Sequence, residues 1–168
     1  SLGLKPGQVD LLCGGPPCQG FSTVGSKRRQ DPRNSLFYEF LRAVAAFMPK
    51  YVIFENVSGF RRMYEGEAYK RLLDEFSELG YETRSGILEA SEFGLPQVRK
   101  RTIVLASRKD YATAEMPVGV PGSGLPIMDA ISDLPAIAAN DGSFFYATPP
   151  QNEYQRKLRA TSAILTEH

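Results

Sequence analysis

The sequence predicts an α/β fold built on an open, mostly parallel sheet. Two short apolar runs, "QVDLLCGG" and "KYVIFENV", enclose one amphipathic helical stretch. A second helical pattern and two further strand-like runs continue the alternation, as expected where helices cross between neighbouring strands.

Each element has its own local reason. "QVDLLCGG" is apolar and bounded by glycines, so it reads as a buried parallel strand. In "NSLFYEFLRAVAAFMP", Leu36, Phe37, Phe40, Leu41, Val44, Phe47 and Met48 recur at helical spacing. Asn34 or Ser35 supplies the cap and Pro49 the stop. "KYVIFENV" is β-branched and aromatic, and it reads as a second buried strand that delivers Glu55 and Asn56 at its carboxyl end. Tyr69, Leu72, Leu73, Phe76 and Leu79 mark the second helix, closed by Gly80. "ETRSGILEA" and "RTIVLASR" are two more strands, and the "SEFGLPQVRK" between them is too long for a tight hairpin and too rich in Gly and Pro for a helix. From Met116 to Pro150, prolines, glycines and small residues surround one helical phrase, "IMDAISDL", and "NEYQRKLRATSAILTEH" adds a last helix. The expected division is 1–115 for the sheet and 116–168 for a loop-rich segment.

Composition narrows the classes. The chain has 168 residues, 42% of them hydrophobic, with 10 Phe and 8 Tyr, enough for a real core. Lys and Arg number 20 against 19 acidic residues, so net charge makes no general case for a nucleic-acid or membrane partner. No long apolar run and no charged-then-apolar leader occur, so no membrane partner is expected and the default compartment is the cytoplasm, or the nucleus in a eukaryote. Two cysteines and one terminal histidine do not furnish a four-ligand zinc site, so no metal is expected. A Cys13 to Cys18 disulfide would waste a stiff loop.

In an open α/β sheet the active crevice lies beyond the carboxyl ends of the strands, where Cys18 and Glu55 both fall. A cysteine in such a loop is a nucleophile candidate, because access and a nearby positive or dipolar environment govern thiolate formation. Gly14 and Gly15 permit close approach by a ligand, while Pro16 and Pro17 hold the thiol in one place. Cys13 reads as a small apolar filler. The only histidine, His168, is terminal, which argues against a cysteine–histidine hydrolase and turns attention to Glu55. Glu55 is either salt-bridged structure or a proton donor with raised pKa. Arg99 and Arg101 point the same way if their segment is extended, with Lys100 opposite, and read equally as a solvated strand end. "QGFSTVGSKRRQDPRNS" contains Ser22, Thr23, Ser26, Lys27, Arg28 and Arg29, and reads as a loop able to meet phosphates or as a merely solvated one.

Four segments taken in order, "GGPPCQGFS", "RNSLFYEFLRAV", "FENV" and "FGLPQVRKR", resemble the motifs of the cytosine-5 DNA methyltransferases. The resemblance covers nearly the whole chain. It implies part of the Rossmann-like, S-adenosylmethionine-dependent methyltransferase fold, with a terminal antiparallel strand near "RTIVLAS" and the first strands missing. It implies Cys18 as the thiolate that attacks carbon 6 of a flipped cytosine, so that carbon 5 takes a methyl group from S-adenosylmethionine. Glu55 would bond ring nitrogen 3 and the exocyclic amine, Arg99 would hold the base carbonyl oxygen, and Arg101 would orient Cys18 and Glu55. Pro17 and Leu36 would flank the methyl donor. Gln19 to Arg29 would close over the nucleotide in double-stranded DNA, with Ser22 near a phosphate and Lys27, Arg28 and Arg29 beside it.

The family's Phe-x-Gly-x-Gly loop, which cradles the cofactor, does not precede Cys18 in this sequence. The tail resembles the approach to a target recognition region, as in restriction-modification or maintenance-type members. The expectation is therefore a central catalytic portion, a fragment or half of a split enzyme, inactive alone. It would meet a complementary N-terminal chain, or associate with itself through the exposed edge of the "VDLLC" strand. Rival readings are an inactive nucleic-acid-binding or regulatory module and a tRNA cytosine-5 methyltransferase.

Overall fold

The computed structural model describes residues 3–17, 35–139 and 141–159. The expected cap at Asn34 and the tail beyond Arg159 lie outside these residues. Four strands form one sheet: β1 (Leu11–Gly14), β2 (Tyr51–Val57), β3 (Tyr81–Glu89) and β4 (Lys100–Arg108). Two longer helices accompany them, α1 (Ser35–Phe47) and α2 (Glu67–Glu78), and a 3-10 segment, Ser58–Gly66, bridges β2 and α2.

The sheet order is β1-β2-β4-β3. β1 and β2 are parallel, with Leu11 opposite Tyr51 and Gly14 opposite Phe54, while β4 is antiparallel to both β2 and β3. The last strand in the chain is thus the antiparallel one. It inserts between β2 and β3 instead of extending an edge. Its sequence explains the position: Thr102, Val104 and Ala106 are fully buried, whereas β3 carries Glu82, Thr83, Arg84 and Ser85 and suits an edge.

Helix periodicity sets what is buried. α1 turns Phe37, Leu41 and Val44 inward, and α2 turns Ala68, Leu72 and Phe76 inward. α1 ends at Phe47, where Met48 takes a left-handed φ of 43° before buried Pro49. α2 closes as Gly80, at φ 81°, donates its N–H to Ser77 O. The core centres on Phe54, whose ring lies 5.1 Å from Phe60, 5.6 Å from Phe40 and 6.2 Å from Phe37. Each such buried side chain contributes about 1.5–3 kcal/mol.

Two expectations need correction. Leu36, counted with the apolar stripe of α1, is 48% exposed because it precedes the inward-facing Phe37. The strands expected to be buried on both faces alternate instead. Val52, Phe54, Val104 and Ala106 are buried on the face that receives α1 and α2, while on the other face Leu11 and Cys13 are exposed and Ile53 and Leu105 are half-buried. Cys13 is therefore not a filler in the described residues.

The chain divides into two compact units. One takes the described residues within Ser1–Glu89 and Lys100–Val118, and the other those within Ala90–Arg99 and Gly119–His168. The second unit holds α3 (Ile127–Ile131) and α4 (Glu153–Arg159). Gln155 Nε2 donates to Asp129 O and Ser132 Oγ at 2.9 and 3.0 Å, and the Arg159 guanidinium binds buried Asp133 at 2.6 Å while stacking on the Tyr146 ring. A short 3-10 segment, Ala90–Phe93, is tied in by Val120 N donating to Glu92 O at 2.8 Å.

Candidate active site

β1, β2 and β4 bring their functional ends together in the first unit. β1 and β2 are parallel and in register, so the loop after Gly14 leaves the sheet beside Glu55. The antiparallel β4 starts at that same end, with Arg101 opposite Val57 and Ile103 opposite Glu55. Arg101 is thus the diagonal cross-strand neighbour of Glu55, a separation that a long side chain spans.

The two side chains meet. Arg101 Nε lies 2.8 Å from Glu55 Oε1, with the carboxylate side chain 41% exposed and the guanidinium 25%. Arg101 Nη1 also donates to Lys100 O at 2.9 Å, which restricts the guanidinium plane. Glu55 is thus ion-paired among the described residues. Glu55 is half-buried, on the half-open face of the sheet. Lys100, on the opposite side of the pleat from Arg101, pairs with Glu89 at 3.1 Å.

Strand alternation sends Asn56 to the other face. It is 5% exposed, its Nδ2 donates to Pro16 O at 3.0 Å, and its Oδ1 accepts from Val57 N at 2.9 Å. The residue after Glu55 thereby clamps the loop that leads to Cys18. Sequence reasoning gave Asn56 no role. The available signal was a polar residue placed one step out of phase with Glu55 at a strand end, where only one of the two can face a crevice.

Gly14 and Gly15 have a different use from the one expected. A Cβ on Gly14 would lie 2.5 Å from Phe40 Cε2, and one on Gly15 would lie 2.8 Å from Glu55 Oε2 and 3.4 Å from Glu55 O. The space they leave is filled by the chain's own Phe40 and Glu55, not kept for a ligand. Pro16 is buried and Pro17 exposed. Two fixed φ angles and the Asn56 bond then restrict the chain at Pro16 and Pro17.

Cys18, Gln19, Ser22, Lys27, Arg28 and Arg29 lie outside the described residues. Leu36 is exposed in the first turn of α1, and Arg99, in the second unit, has an exposed side chain and a carbonyl that accepts from Ala90 N at 3.0 Å. A fixed carboxylate beside a guanidinium, at the end of a stiffened loop, can hold and polarise a flat ligand that presents both a donor and an acceptor.

A family model described as C-5 cytosine-specific DNA methylase matches residues 3–165. The Type II methyltransferase M.DdeI of Desulfomicrobium norvegicum is 36% identical over 177 residues, which cover 99% of this chain and 43% of that protein. DNA (cytosine-5)-methyltransferase 2 of Arabidopsis thaliana is 31% identical over 198 residues, covering 97% of this chain and 13% of that one. Among solved structures, a prophage-encoded protein of E. coli named as a DNA modification methyltransferase aligns with a TM-score of 0.68 and 25% identity, over 89% of this chain and 43% of its own. The chain spans less than half the length of these relatives.

Proposed function

The chain belongs to the C-5 cytosine-specific DNA methylases, and from that premise we propose that it carries the catalytic centre for methyl transfer from S-adenosylmethionine to carbon 5 of cytosine in DNA. The observation that carries this reading is the Glu55–Arg101 pair at 2.8 Å beside a Pro-Pro loop that Asn56 fixes. The assignment of 1–115 to catalysis and of 116–168 to the approach to target recognition is part of the proposal.

Cytosine carbon 6 is a weak electrophile. The Cys18 thiolate adds to it, and negative charge moves into the ring toward nitrogen 3 and the carbonyl oxygen. Glu55, by donating a proton or hydrogen bond at nitrogen 3 and accepting one from the exocyclic amine, offsets that charge. Arg99 holds the base carbonyl oxygen, and Arg101 keeps the Glu55 carboxyl in one rotamer. Carbon 5 is then the nucleophile, and loss of its proton to solvent after transfer lets the carbon 6–sulfur bond break and the Cys18 thiolate leave. None of this reaches a stacked base, so the cytosine is flipped from the duplex and Gln19 to Arg29, with Ser22 near a phosphate, close over it.

S-adenosylmethionine, when bound, supplies the electrophilic methyl group. Exposed Pro17, in the loop after β1, and exposed Leu36 at the start of α1 suit an apolar flank for it. An interaction through β1 is the remaining part of the proposal: β1 is a sheet edge among the described residues, and a second copy or a complementary chain pairs with it.

The test is covalent trapping. The full-length protein with S-adenosylmethionine and DNA containing 5-fluorocytosine should give an adduct stable to denaturation, and Cys18→Ala should abolish it. An adduct that survives the substitution removes Cys18 from the mechanism.

A further inference from the structure

We propose that Arg61 and Arg62 form a preorganised anchor for backbone phosphates of the DNA that flanks the reacting cytosine. This rests on the reading above and adds a second contact surface to it. Both arginines lie in the 3-10 segment Ser58–Gly66, which begins immediately after β2 ends at Val57. They therefore stand at the same end of the sheet as Glu55 and Arg101, six and seven residues beyond Glu55 in the chain.

The segment is rigid for identifiable reasons. Phe60 is fully buried and packs 5.1 Å from Phe54 and 6.3 Å from Tyr69. Ser58 O accepts from buried Thr102 Oγ1 at 3.4 Å. The far end turns through two successive left-handed residues, Glu65 at φ 55° and Gly66 at φ 87°. A non-glycine residue in that region is costly unless the surroundings enforce it.

On this platform the two guanidiniums are exposed, and among the described residues neither has a carboxylate within ion-pair distance. Arg42, Arg71, Arg84, Arg101, Arg108 and Arg159 all have one. Arg61 instead lies over the Tyr69 ring, 5.2 Å from its centroid, and Tyr69 is itself fixed by its hydroxyl 2.5 Å from Ser85 Oγ. Stacking holds the guanidinium without using its N–H donors, so little rotamer freedom remains to be lost when an anion arrives. Two adjacent arginines that make no ion pair among the described residues, on a segment that leaves the sheet at the end where Glu55 and Arg101 lie, fit phosphate oxygens.

The test is the salt dependence of binding. The full-length protein and its Arg61→Ala/Arg62→Ala and Arg61→Lys/Arg62→Lys variants are titrated against a fluorescent cytosine-containing duplex over a range of potassium chloride. Each phosphate contact contributes roughly 0.9 to the slope of log affinity against log salt. The double alanine variant should lose about 1.8 of that slope, and the double lysine variant should retain most of it. An unsubstituted protein that binds with a salt slope which neither variant alters overturns this inference and leaves the proposed function standing. An unsubstituted protein that forms no complex overturns both.

Discussion

Glu55, Arg101 and Asn56 occupy neighbouring positions on two strands, yet the sequence spoke unequally about them. Glu55 was legible because an acid at the end of an apolar strand is costly unless used. Arg101 was legible as a basic residue, but the 2.8 Å contact with Glu55 depends on strand register, which residue types do not disclose. Asn56 was missed because its role is a bond to Pro16 O, forty residues away in the chain. Asn56→Ala removes that donor and the acceptor for Val57 N, a cost of roughly 1–3 kcal/mol in urea unfolding. The larger consequence falls on the loop before Cys18, since misplacing a reacting group by about an ångström can cost on the order of a hundredfold in rate. The variant should therefore trap 5-fluorocytosine DNA far more slowly than its stability loss explains. Native stability together with native trapping would remove Asn56 as the loop clamp.

At the scale of elements, periodicity gave both long helices, and short strand-like runs, apolar in β1 and β-branched and aromatic in β2, gave all four strands. Strand order was not readable, because the partner of β4 is decided by which faces Val104 and Ala106 can bury against, and that is a property of the assembled sheet. The joint between α1 and β3 is one such long-range product. Tyr81, the first residue of β3, is buried and donates its hydroxyl proton to Pro49 O at 2.6 Å, just past the end of α1. Burial pushes its pKa up to about 12, against a smaller opposing pull from Arg108. A phenol whose folded pKa exceeds its unfolded value of about 10 contributes stability that is complete below pH 10 and lost as pH rises toward 12. Thermal midpoints should hold from about pH 8 to about pH 9.5 and then fall, and Tyr81→Phe should flatten that fall while lowering the plateau by about 1 kcal/mol. An equally steep alkaline fall in Tyr81→Phe would assign the transition to other groups.

For the whole molecule, the sequence suggested a sheet followed by a loop-rich segment, without a sign that Ala90–Arg99 packs with the residues after Val118. That grouping arises from backbone bonds such as Val120 N to Glu92 O, which any side chains would permit. The sheet of the first unit, by contrast, has β1 at one edge among the described residues. β1 is only four residues long and pairs on one side with β2. Leu11 is 48% exposed and Cys13 is exposed on its open face, so apolar side chains and unsatisfied strand groups lie together. Such an edge has none of the charges or prolines that block pairing. The mass of the 168-residue chain in light scattering should rise with concentration, and Leu11→Lys should suppress the rise by placing a charge on the paired face. A buried leucine contributes about 1.5–3 kcal/mol, so the association midpoint should move roughly tenfold or more toward higher concentration. A mass that stays monomeric at every concentration, or a midpoint indifferent to Leu11→Lys, would show that this edge is not where the molecule meets a partner.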